Sequence, residues 1–153
     1  PLLVQMIISG KDVFIIEFSA RMGGGTKYKL IETLTGFNIM SSYVDLITGI
    51  APNVKVSQKY NFAHLNYCYA EKGIFSNLYK FKDLKQEGII NDYFQYKSEG
   101  TLIDKAKTSS DRVAGYLITA DTIEELNEKE KRADKSLGIL TNTGKDIMIH
   151  DLI

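Results

Sequence analysis

Two short apolar runs, residues 2–8 and 13–16, flank the turn-forming segment Ser9-Gly10-Lys11-Asp12. This arrangement constrains the chain more than any other feature. Runs of this length, rich in β-branched residues and bounded by turn signals, predict an antiparallel hairpin. The second run reads as a buried strand. It ends in Glu17, Ser19 and Arg21 at alternating positions, followed by Gly23, Gly24 and Gly25. In extended chain, alternate residues point to the same side. A carboxylate, a hydroxyl and a guanidinium at the end of a buried strand call for a reason, and a metal ion with a phosphate group would supply one.

Register decides whether the polar residues meet. A three-residue loop of Gly10, Lys11 and Asp12 sets Gln5 directly opposite Glu17, whereas a loop of two or four residues puts them on opposite faces. The hydrophobic pattern favours the three-residue loop. Leu2, Val4, Met6, Ile8, Phe14, Ile16 and Phe18 are all apolar and all even-numbered. That loop gathers them on one face and clusters Gln5, Glu17 and Ser19 on the other. Directly opposed Cα atoms lie roughly 4.5–5.5 Å apart, so two side chains could share one ion. Carboxylate and amide oxygens suit magnesium, which keeps waters and substrate phosphates as its other ligands. The three glycines either bring backbone N–H groups and a helix N-terminus toward an anion or form a tight turn needing positive φ. No Gly-Lys-Ser/Thr follows, so this is not a Walker loop.

These residues resemble the C-terminal end of an ATP-grasp domain, most nearly that of carbamoyl phosphate synthetase and biotin carboxylase-type enzymes. In those families a Glu-x-Asn-x-Arg stretch ends a strand of the ATP site, and a Gln or Glu twelve residues upstream completes the metal site. Gln5 and Glu17 have that spacing, and the glutamine looks like the carbamoyl phosphate synthetase version. The resemblance implies that Gln5 and Glu17 hold Mg2+ between the phosphates of ATP, with Ser19 assisting. It implies that Arg21 is catalytic, facing the transferred phosphoryl group or the acyl phosphate; Gly23, Gly24 and Gly25 are the candidate cofactor-binding residues, where the anion held could be the carboxylate substrate or its acyl phosphate. Ser19 departs from the family's usual Asn, and its hydroxyl is a shorter, weaker metal ligand. Thr35-Gly36-Phe37-Asn38-Ile39, Tyr43-Val44-Asp45 and Thr48-Gly49 are similar to the pair of helices that follows the metal strand. The remaining hundred or so residues resemble, in outline, the small β-rich subdomain of biotin carboxylase-like and glycinamide ribonucleotide synthetase-like ligases. Asp111-Arg112-Val113-Ala114-Gly115 is the best match there.

The activity so implied is ATP-dependent joining of a carboxylate to an amine through an acyl phosphate, with ATP and Mg2+ as cofactors. In the family, the adenine-binding segment, the lid and the phosphate-contacting lysines lie upstream, and nothing here resembles them. The chain begins at Pro1, without an initiator Met and inside a strand. The expectation is a C-terminal fragment, inactive alone, whose partner is the missing N-terminal part of the same protein. Two other readings stay open. One is a catalytically lapsed nucleotide or amino-acid binding module, favoured by Ser19. The other is an oligomerisation subdomain that forms a homodimer through its tyrosine-rich sheet.

The 153 residues fit one domain or two small ones. Nineteen basic and nineteen acidic residues cancel, so no charge imbalance argues for nucleic acid or an anionic membrane surface. One cysteine, Cys68, excludes an intrachain disulfide and fits a reducing compartment. No apolar run approaches the roughly 18 residues of a membrane span, and these residues show no signal-peptide pattern. The expected location is cytoplasmic.

Local signals predict an α+β chain with a mostly antiparallel sheet, divided into a 1–52 ATP-grasp piece and a 60–153 subdomain. A first helix follows the Thr26 cap and ends at Gly36, and a second opens at Ser42-x-x-Asp45 and stops at Gly49. Residues 52–58 read as a linker. Strands are expected at 63–70, 74–81, 89–97, 102–103 and 111–119. A long helix capped by Thr122-x-x-Glu125 and closed by Gly138 follows. A final strand pair, 139–141 and 146–150, turns at Asn142-Thr143-Gly144. Lys27 and Lys29 read as solvated. His64, Cys68 and His150 lack metal-ligand spacing, and Cys68 with His64 reads as a packed thiol beside a half-buried imidazole. The tyrosines of residues 60–96 read as sheet packing.

Overall fold

The computed structural model describes residues 1–104, 106 and 108–150. It is α+β with antiparallel sheets, and it divides into two compact units, Pro1–Lys59 and Tyr60–Ile153. Among the described residues no helix is long and apolar enough to cross a membrane.

The first unit opens with a hairpin of β1 (Leu3–Ser9) and β2 (Asp12–Ser19). Ser9 pairs with Asp12, so the loop holds two residues, Gly10 and Lys11, and not the three expected. Gly10 takes φ 62° while Lys11 does not turn positive, the pattern of a turn with glycine at its first central position. The pairing then shifts between Gln5 and Met6. Met6 faces Ile15 and Gln5 faces Glu17, which leaves Ile16 as an extra residue in β2. This β-bulge restores the predicted Gln5–Glu17 pair by a different route.

The apolar faces differ accordingly. Val4, Met6 and Ile8 pair with Phe18, Ile15 and Val13, while Phe14 pairs with Ile7. Phe14 therefore leaves the even-numbered face assigned to it. The strands are also not buried. Ile8 and Phe18 are each 74% exposed, and Val13, Phe14, Ile15 and Ile16 are all more than half exposed. The apolar run was read as a core strand because its composition demands cover, and among the described residues neither face receives it.

Helix α1 (Lys27–Thr35) ends at Gly36, whose φ of 69° closes it in the left-handed region, its N–H donating to the Glu32 carbonyl. Helix α2 (Ile39–Ile47) starts earlier than the Ser42 signal suggested. Asn38 caps it, its side-chain oxygen accepting from the Ser41 N–H at 2.9 Å, a use of asparagine that competes with serine on equal terms. Residues 53–59 are not a free linker. The Ser57 and Lys59 N–H groups donate to the carbonyls of Thr35 and Leu34 at 3.0 and 2.8 Å, returning the chain across the end of α1. Thr26 is the one buried residue of this unit.

The second unit contains the core. One sheet has the order β3 (Phe62–Cys68), β7 (Ala114–Ala120), β5 (Asp92–Gln95), all antiparallel. The other has the order β6 (Leu102–Ile103), β4 (Gly73–Tyr79), β8 (Gly138–Thr141). Every residue of β7 is buried. Phe75, Phe81, Val113, Ile118, Leu137 and Ile139 form the centre of a continuous apolar cluster. Lys80, at φ 61°, turns the chain sharply after β4 into α3 (Phe81–Gln86). This helix had been read as strand end and loop, because a six-residue helix shows too few turns to display its period. Helix α4 (Ile123–Ser136) buries Leu126 and Ala133. Its Thr122 side chain accepts from the Glu125 N–H at 3.1 Å, and the Glu125 carboxylate accepts from the Asp121 N–H at 3.1 Å. The expected box thus closes one residue early. Gly138 begins β8 and does not close the helix; Leu137 ends it in extended conformation. The predicted partner of β8 is reduced to bridges, Leu140 with Asp146 and Ala70 with Met148. Asp146 anchors this return: its Oδ1 accepts from the N–H groups of Ile139 and Met148 at 3.0 and 2.9 Å.

Candidate functional site

The hairpin register brings Gln5 and Glu17 into direct opposition, with Leu3 and Ser19 paired two positions along on the same face. The side chains of Gln5 and Glu17 are exposed and engage no protein partner among the described residues. Three neutral or anionic oxygen donors, an amide, a carboxylate and a hydroxyl, therefore stand along one edge of the site. Among the described residues no group of three or more His, Cys, Asp or Glu side chains is placed to hold a metal ion. The donor set of the hairpin is nevertheless all hard oxygen, which fits Mg2+, an ion that typically takes only one or two protein carboxylates and fills its shell with water and phosphate.

Arg21 does not continue the alternation. β2 ends at Ser19, and the Arg21 N–H folds back onto the Ser19 carbonyl at 2.8 Å. Its guanidinium donates to the Met22 carbonyl at 3.0 Å. The glycines act separately. Gly25 takes φ 70° and turns the chain into α1. A side chain at Gly23 would come within 3.3 Å of Lys27 and 3.6 Å of Leu3, whereas Gly24 faces open space. Thr26 precedes α1 but makes no side-chain capping bond to it. Lys29 pairs with Glu32 at 2.7 Å.

The second unit contains a polar cluster that the sequence did not reveal. The Asn66 amide donates to the Tyr116 hydroxyl at 3.0 Å and to Glu130 at 2.8 Å. His64 Nδ1 lies 2.9 Å from the same Glu130 carboxylate oxygen. The signal was present but weak: His64, Asn66 and Cys68 alternate on β3, and the glutamate that meets them lies on a helix far along the chain. Cys68 shares this face. Burial, reinforced by the Asp134 carboxylate, pushes its thiol up to about 12 from an ordinary 9.0. Burial likewise raises the Tyr116 phenol, followed by the nearby Cys68, against a lowering from the Asn66 hydrogen bond. On the other face of β3, the Arg112 guanidinium stacks 3.7 Å from the centre of the Tyr67 ring. Arg112 was noted only as part of a sequence likeness; its partner is an aromatic face. A cavity of about 230 Å³ opens between β3, α4 and the segment at Met148 and Ile149, lined by Asn66, Cys68, Tyr116 and Asp134 among others.

No protein-family model matches the sequence, and no curated protein matches it significantly. Two solved structures are similar in fold. Phosphoribosylglycinamide synthetase from Anaerococcus prevotii superposes with a TM-score of 0.71 at 21% identity, covering 92% of this chain. L-amino acid ligase from Bacillus licheniformis superposes with a TM-score of 0.70 at 18% identity, again covering 92%. The chain thus shares its fold with part of each of these two enzymes, and it spans 37% and 36% of their lengths.

Proposed function

We propose that this chain is the C-terminal part of an ATP-dependent carbon–nitrogen ligase, working in the cytoplasm and inactive without the remainder of its catalytic domain. The observation that carries this reading is the Gln5–Glu17 pair, set side by side on a hairpin of an ATP-grasp fold. Both structural neighbours are C–N ligases, which supports a carboxylate and an amine as the substrates.

In this reading Gln5 and Glu17 hold Mg2+, Ser19 assists, and Gly23, Gly24 and Gly25 line the path of the anion. The ion, when bound, would offset the negative charge of the ATP phosphates. A substrate carboxylate oxygen attacks the γ-phosphorus, and ADP leaves with the bridging oxygen. The amine nitrogen then attacks the acyl carbon, inorganic phosphate departs, and the amine gives up a proton. Positioning and charge neutralisation dominate such chemistry. Arg21 supplies a fixed positive charge at the end of the metal strand, where charge spreads over the phosphoryl oxygens. The pairing of Gln with Glu supports the carbamoyl phosphate synthetase type of metal site.

Glu17→Ala in the complete protein tests this. Release of phosphate from ATP should fall to background while the protein stays folded by circular dichroism. Unchanged turnover would remove Glu17 from the mechanism. A second reading, a lapsed binding module, is favoured by Ser19 in the place of asparagine. ATP binding without phosphate release in the unsubstituted complete protein would support that reading instead.

A further inference from the structure

The two-residue turn and the polar pair are incompatible in a regular hairpin. With Ser9 opposite Asp12, uninterrupted pairing would run Met6 to Ile15, Gln5 to Ile16 and Val4 to Glu17. Glu17 and Ser19 would then share a face with Val4 and Met6, away from Gln5. The observed pairing follows this scheme as far as Met6–Ile15, then slips by one at Ile16, so that Gln5 meets Glu17 and Leu3 meets Ser19. Ile16 itself is 53% exposed and so owes its place to no core packing. Bulges of this kind re-aim side chains next to active sites.

We propose that the bulge at Ile16 is a positioning device: by taking this one residue out of the ladder it keeps Glu17 and Ser19 on the face of Gln5 and so preserves the metal site. The inference rests on the metal reading given above. It makes a counter-intuitive demand on chain length. Deleting Ile16 shortens β2 by the extra residue, leaves Gln5 opposite Glu17 in a regular ladder, and preserves the site. Inserting a third isoleucine beside Ile16, with the single bulge kept, sets Glu17 opposite Val4 and dismantles it. A residue that merely filled space would show no such asymmetry.

The test uses Mn2+ with ATP as the probe, followed through paramagnetic broadening of the Glu17 amide and the Gln5 side-chain NH2 in the complete protein. The deletion should leave the Mn2+ affinity within about twofold. The insertion should weaken it by about ten- to a hundredfold, the scale on which misplaced support of a ligand acts. Equal loss in both variants, or loss only on deletion, would overturn the proposal. Glu17→Ala and Gln5→Ala serve as controls for the metal reading: broadening that survives both overturns that reading, whatever the length variants do. Register is checked without metal, in a Cys68→Ala background. Gln5→Cys with Glu17→Cys should oxidise to a disulfide readily, and Val4→Cys with Glu17→Cys should not. The reverse preference overturns the role of the bulge even where the length variants fail to fold.

Discussion

Cys68 shows how position alone sets a side chain's chemistry. Its thiol is 2% exposed and stays protonated to about pH 12, against 9.0 for an ordinary thiol. In the folded protein it is therefore a packing group, and thiol reagents at pH 8 should modify it only as fast as the chain unfolds. The linkage has a definite sign. Because the folded value lies above the unfolded one, the contribution to stability is complete below pH 9 and is lost as pH rises from there through about 12. Denaturant titrations across that window should show a steeper alkaline loss for the native chain than for Cys68→Ala. Equal slopes would mean that the thiol is not held protonated by the fold. Asn66 offers a second handle. Asn66→Ala leaves the Tyr116 hydroxyl, on a residue only 3% exposed, without its donor, and it also removes one partner of Glu130. The expected cost is about 1–3 kcal/mol by chemical denaturation. Sequence reading anticipated a buried cysteine beside a half-buried histidine, but it could not foresee that Glu130 would join them. A helix residue and a strand residue sixty-odd positions apart carry no mutual signature until the sheet is built.

The strands and helices were legible where their signals are local. Thr122 capping α4, Gly36 ending α1 and the Gly144 turn after β8 follow from side-chain and backbone chemistry within a few residues. Thr122→Ala should cost about 1 kcal/mol, read as a lowered melting temperature with the fold unchanged. Signals that need a partner were misread. The Gln5–Glu17 pairing was foreseen on a three-residue loop, whereas the chain uses a tighter turn and a bulge. Periodicity cannot separate these, because a bulge inserted among consecutive isoleucines leaves no mark in composition. Gly115 makes the converse point. It sits in fully buried β7, where an added Cβ would lie 2.9 Å from the Asn66 carbonyl oxygen and 3.0 Å from the Tyr96 hydroxyl. Gly115→Ala should therefore destabilise the second unit by about 1–3 kcal/mol. A mutant as stable as the parent would show that the strands move apart freely.

The two units differ in kind. Residues 60–153 contain the apolar cluster, both three-stranded sheets and the long helix. Produced alone, this segment should give a cooperative melting transition and bind little hydrophobic dye. The first unit buries no apolar residue and presents both sides of a two-stranded ribbon to solvent, an arrangement of marginal stability at best. The 153-residue chain should accordingly bind dye strongly, and weak binding would show that the ribbon finds cover in solution. The fold class was accessible from the strand and helix pattern. The exposure of the ribbon was not, since composition reports what a segment needs and not whether it is satisfied. That ribbon also carries the candidate ligands Gln5, Glu17 and Ser19. On the proposed metal reading, whatever surface shelters its greasy sides would also fix the geometry of its polar edge, so that shelter and metal binding would become a single event. An unsheltered ribbon would on that reading be at once idle and adhesive, and the cell's chaperones and proteases could recognise such a molecule by touch, without any assay of its chemistry.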